Sequence, residues 1–92
     1  MDSDEQIVAM LRALGNPVRW EIFLAIAQLE TTNRTAIALE TGYLNTAWHH
    51  ISILVKSGLV LRDEIDTKDV LFSINKDALQ LLAGVLGEIA TQ

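Results

Sequence analysis

The chain has 92 residues, half of them apolar, and twelve carboxylates against seven lysines and arginines give a net charge of −5. A chain this short supports a single core and is marginal alone, so its apolar surplus points to burial in a dimer interface. With no cysteine it can hold no disulfide or thiolate metal site, and with no membrane-length apolar run and an acidic start (Met1–Glu5) it reads as cytoplasmic.

Taken in order, Ser3 with Gln6 three residues on forms a capping-box pattern for a first helix, about 3–14. Its stripe is Ile7, Val8, Met10, Leu11 and Leu14, and Gly15 stops it. Asn16 caps a second helix, with Pro17 at its first position, where the missing N–H does no harm. That helix runs to about Leu29 and buries Val18, Ile22, Ala25, Ile26 and Leu29, while Trp20 and Phe23 lie beside the stripe as padding.

A helix-turn-helix is expected over about 32–58, with Thr32 as the cap, a short helix from about Asn33 to Thr41, a tight turn at Gly42, and a second helix over 44–57. Ala47, Ile51, Leu54 and Val55 make the buried stripe of the second helix. Asn45, Thr46, Trp48, His49 and Tyr43 are left facing out near its start, as on a helix that enters a DNA major groove. Lys56-Ser57-Gly58 ends it with a cation and a glycine. Leu59–Ile65 and Val70–Ile74 then read as two strands around Asp66-Thr67-Lys68-Asp69, a wing over about 59–75. Asn75 caps a last helix, about 76–90, with a stripe of Leu79, Leu82, Leu86 and Ile89. This stripe either folds back on its own core or packs against a second subunit. Gly84 and Gly87 weaken that helix by about 1 kcal/mol each relative to alanine.

Catalytic and metal sets are missing from the pattern. The serines have no glycine-elbow context, no phosphate-cradling glycine loop exists, and the wing carboxylates lack the spacing of a calcium loop. His49 and His50 are the only histidines, and neighbours on a helix point about 100° apart, so they do not grip one ion together. Neither an enzyme, a cofactor nor a metal is expected. The helix-turn-helix from Thr31 to Gly58 holds Arg34 and Lys56 against Glu40, a balance of +1, which leaves −6 for the rest.

Three stretches in order resemble the ArsR/SmtB group of transcription regulators. Leu11–Ile22 is similar to its leader pattern L-x-x-L-x-x-P-x-R-x-x-I, Trp48-His49-His50-Ile51 to its S-H-H-L step, and Gly58-Leu59-Val60 to its G-L-V. The resemblance implies a mainly α fold with a small β-hairpin: one winged helix-turn-helix domain over 1–92, in the order α1-α2-α3-α4-β-β-α5, dimerising through its terminal helices. Ile7, Leu11, Leu79, Leu82, Leu86 and Ile89 are then interface residues. It further implies base-edge contacts from Leu44, Asn45, Thr46, Trp48 and His49. Asn45 can bond adenine in two places, and phosphates fall to Arg34, Lys56, Arg62 and Lys68.

The family's metal sites do not carry over. They use cysteines on the first helix of the helix-turn-helix, which here reads Thr35-Ala36-Ile37-Ala38-Leu39, or Asp, His and Glu ligands on a last helix that here has no histidine. Three further departures stand out: the turn after Gly42 is one residue shorter, Trp48 replaces a small serine and either crowds the groove or contacts a thymine methyl, and the wing sums to −2 where the family places arginines.

Two functions fit. One is a homodimeric repressor that reads a short inverted repeat in double-stranded DNA, constitutive or answering to a protein partner or small-molecule effector. The other is a winged-helix protein-interaction module with weak or no DNA binding, and the acidic wing favours it.

Overall fold

The structure is a computed structural model that describes residues 2–66 and 69–92, with side chains from Asp4 onward. The elements are α1 (Asp2–Leu14), α2 (Pro17–Leu29), α3 (Arg34–Thr41), α4 (Ala47–Ser57), β1 (Val60–Glu64), β2 (Val70–Ile74) and α5 (Lys76–Ala90). The order and type of every element match the expectation, including the wing directly after α4.

Capping explains most of the boundaries. Asn16, Asn33 and Asn75 each take extended backbone and accept a hydrogen bond from the amide three residues on, at 3.0, 2.8 and 3.2 Å. At the other ends, Gly42 and Gly58 stop α3 and α4 in the left-handed region, φ 82° and 89°, where any Cβ is strained. Glu30 adopts φ 66° at the end of α2 with a side chain attached, held there as its amide donates to the Ile26 carbonyl at 3.0 Å.

Several expectations shift. The first helix starts at Asp2, which puts Ser3 inside it and not at its cap. Thr32 is not a cap either; it is buried and exchanges both backbone hydrogen bonds with Phe72, 3.0 and 2.7 Å, so the α2–α3 connection borders β2 as a third, one-residue strand. The second helix of the helix-turn-helix begins at Ala47, because Leu44–Thr46 form a turn in which the Ala47 amide donates to Tyr43 at 3.2 Å. β1 is narrower than Leu59–Ile65, since the ladder runs only from Val60 opposite Ile74 to Glu64 opposite Val70; the Leu59 carbonyl accepts from the cap residue Asn75 and the Ile65 amide donates to the turn residue Asp69. The expected tip residues Thr67 and Lys68 lie outside the described residues.

The core gathers one face of each helix. Met10, Ile22, Ile26, Ile37, Leu54, Leu59 and Val60 are fully enclosed, each worth about 1.5–3 kcal/mol relative to exposure. Phe23, read as a flanking residue, is a core member, and Trp20 stacks on it from outside at 5.8 Å between centroids. The α1 stripe is rotated from its expected position: Ile7, Met10 and Ala13 face inward, whereas Val8 and Leu11 stay in solvent. On α5 only Ala78 and Leu82 are buried, and the helix leaves Leu86 and Ile89 uncovered. Two of the six expected interface residues, Ile7 and Leu82, therefore serve their own protomer's core. Leu79 is half-buried, and Leu11, Leu86 and Ile89 remain on the surface.

Candidate nucleic-acid interface

The face of interest is built where α4 begins. Thr46 holds the N-cap position of α4 with φ −116° and ψ −9°, and its hydroxyl makes no capping bond. Its carbonyl instead receives the amides of His49 and His50, at 3.1 and 3.4 Å. The first turn is thus fastened through the backbone, and the side chains around it stay available to solvent. Leu44, Asn45, Thr46, Trp48 and His49 are all exposed, whereas Ala47 and Ile51 point into the core. All five expected base-edge residues thus share one end of the helix-turn-helix, three on the turn and two on the first turn of α4.

Two grooves flank this end and share Arg34, Thr35 and Trp48. A smaller one, about 410 Å³, runs between α3 and the start of α4 and is lined by Leu39, Leu44 and Asn45 as well. A larger one, about 600 Å³, runs between α3, the outer side of α4 and the wing, and its rim carries Arg34, Lys56 and Arg62. Three of the four expected phosphate contacts thus border one concave surface; the fourth, Lys68, lies outside the described residues. Arg34 and Lys56 have no carboxylate partner among the described residues, and Arg34 stands at the first position of α3, where the helix dipole disfavours a cation. Arg62 differs, since its guanidinium is paired with Glu64 two residues along the same strand. Asp63, Asp66 and Asp69 keep the wing surface acidic.

Behind the reading end, one arginine joins three helices. Arg19 Nε donates to the Ala13 carbonyl at 2.6 Å and Nη2 to the Arg12 carbonyl at 3.5 Å, which satisfies the open C-terminal end of α1. Its Nη1 lies 3.4 Å from His50 Nδ1, on the first turn of α4. A guanidinium only donates, so a hydrogen bond between the two requires Nδ1 of His50 to be unprotonated and the imidazole neutral. Burial first, then the positive charge of Arg19 and the neighbouring His49, holds the His50 pKa below the ordinary imidazole value. The two histidines therefore divide: His49 faces solvent and His50 braces α4 against α1 and α2. The leader arginine and the second histidine, widely separated in sequence, meet here.

Tyr43, expected on the outer face, is half-buried and donates its hydroxyl to Glu21 Oε2 at 2.6 Å, which ties the turn to α2. That bond and the carboxylate's charge raise the phenol pKa. Asn75 does the same for the wing: its side chain donates to the Gly58 carbonyl at 2.8 Å and its amide to Leu59 at 2.9 Å. Sequence patterning missed these braces because each joins residues 16 or more apart. Among the described residues, no three His, Asp or Glu side chains group to hold a metal ion, and no helix is long and apolar enough to cross a membrane.

No family model and no curated protein matches the chain. Solved structures do. The chain is similar to an ArsR-like transcriptional regulator from Rhodococcus sp. RHA1, with a TM-score of 0.81 over 99% of this chain and 85% of that one, at 17% identity. It is also similar to the homodimeric winged helix-turn-helix DNA-binding domain of a possible ArsR-family transcriptional regulator from Mycobacterium bovis. There the TM-score is 0.71, at 28% identity, over 94% of this chain and 80% of that one. In its element order and its wing the chain is a winged helix-turn-helix, similar in fold to these ArsR-type regulators.

Proposed function

We propose that the chain is a homodimeric, sequence-specific DNA-binding regulator of transcription, and that it acts as a repressor on a short inverted repeat. The observation that carries this reading is the joining of an exposed reading end with a cationic rim. Leu44, Asn45, Thr46, Trp48 and His49 are exposed at the start of α4, and Arg34 and Lys56, without a carboxylate partner among the described residues, border the groove beside them. Small polar groups at the first turn of a second helix reach base edges, and flanking cations meet phosphates. The similar structures support it, since both are described as transcriptional regulators and one as a homodimeric DNA-binding domain.

The second reading, a protein-interaction module, is favoured by one observation: the wing is acidic and its Arg62 is already paired with Glu64. Like charge beside phosphate lowers affinity. Fluorescence anisotropy on the DNA upstream of the protein's own gene, at two salt concentrations and beside a scrambled duplex, separates the two. Under the regulator reading Asn45→Ala costs about 1–3 kcal/mol on the true site alone. Arg34→Ala lowers the salt slope by about 1 on every duplex, with the oligomeric state unchanged. Wild-type binding that does not distinguish the site from the scramble, followed by failure across a wider pool of duplexes, would favour the interaction module.

A further inference from the structure

The reading end has a composition that narrows which bases it can recognise. Residues 43–50 contain no lysine or arginine. The cations of the interface sit at its borders: Arg34 at the start of α3, Lys56 at the far end of α4, and Arg62 on the wing in an ion pair. Two of the five exposed residues at the centre are large and apolar. Leu44 is 65% exposed and Trp48 54%, and with Asn45 they line the groove between α3 and the start of α4. Large apolar side chains gathered on one face are unfavourable in water and mark a contact surface.

Base edges in the major groove offer one apolar group, the thymine 5-methyl, and the asparagine amide matches the N6 and N7 of adenine. Guanine is read most often by arginine or lysine, which this end lacks. We infer that the chain recognises an A·T-rich half-site, with Asn45 on adenine and Leu44 and Trp48 against thymine 5-methyl groups. The inference rests on the DNA-binding reading above and assigns its substrate class.

The test starts with selection of duplexes by the wild-type protein from a random pool at low salt. Half-site thymines of the best duplex are then replaced one at a time by uracil, which removes only the methyl. The expected result is a half-site rich in A·T pairs. At contacted positions uracil weakens binding about fourfold per methyl, the effect of exposing one buried carbon. Leu44→Ala and Trp48→Ala should bind the thymine duplex more weakly and no longer distinguish it from the uracil one. Circular dichroism melts of these variants check the fold, and the uracil series needs no variant at all. A G·C-rich selection, or uracil duplexes that bind as well as thymine ones, overturns the inference and leaves DNA binding intact. Recovery of no preferred duplex overturns the DNA-binding reading and the inference with it.

Discussion

Arg19 does more for this fold than its place in a sequence pattern indicates. It donates to two carbonyls at the end of α1 and lies against His50, so one side chain joins α4 to α1 and α2. Arg19→Met removes that donor from the Ala13 carbonyl and the imidazole, while the Arg12 carbonyl keeps the Gly15 amide at 3.2 Å, and should cost about 1–3 kcal/mol in a denaturant melt. The pH dependence follows from the lowered pKa of His50. Below about pH 6.5 an unfolded histidine takes up a proton that the folded one resists, so the unfolded state binds more protons there. The contribution of His50 to stability is therefore complete above about pH 6.5 and is lost as pH falls through the folded pKa. His50→Gln keeps an acceptor for Arg19 and should flatten that decline in melts between about pH 7 and 5. An unchanged slope would show that His50 is not the group responsible.

At the scale of elements, the same substitution should have opposite signs in different places. Gly42 sits at φ 82° with open space around it, so Gly42→Ala meets no clash and its cost is conformational, about 1–2 kcal/mol. Gly84 lies inside α5 on the side away from Leu82, Leu86 and Ile89, also with open space, and Gly84→Ala should stabilise by about 1 kcal/mol. Thermal melts of the two variants check both signs. A destabilising Gly84→Ala would show that something packs on the glycine side of α5. The turn into α4 belongs to this scale too. Its residues look like the first turn of a helix, and Ala47 is nonetheless where α4 begins, because Gly42 reverses the chain and Tyr43 is fastened to Glu21. The wing shows the reverse case, in which a strand pair legible as two runs around a polar turn gained an unforeseen neighbour in Thr32.

The whole molecule leaves an apolar surface on its terminal helices. Val8 and Leu11 of α1, and Leu81, Leu86 and Ile89 of α5, are each more than 40% exposed. In the homodimer proposed above a second copy would cover the α5 stripe, and symmetric pairing would place two reading ends for the two arms of an inverted repeat. Leu86→Asp with Ile89→Asp should give a monomer in sedimentation velocity with its helical content kept, since neither residue belongs to the protomer's core. DNA binding should then weaken as the second half-site is lost. A doubly substituted chain that still sediments as a dimer would move the interface elsewhere.

Element order, two of the three asparagine caps (Asn16 and Asn75), the glycine stops and the amphipathic faces were legible in the sequence, because each depends on neighbours three or four residues apart. Asn45, Thr46, Trp48 and His49 could be listed from spacing, Leu44 came only from the resemblance, and the exposure of the α4 residues follows from which side of α4 faces the core. Contacts between distant residues could not be read. Arg19 meets His50, Tyr43 meets Glu21 and Thr32 meets Phe72 only once the helices have packed. The division of apolar residues between core and surface was decided at the same stage. Ile7 and Leu82 look like members of the same stripes as Leu11 and Leu86, and rotation of each helix about its axis buries the first two and exposes the others. Local periodicity specifies that a helix has an apolar side, and the shape of its neighbours decides how much of that side they cover.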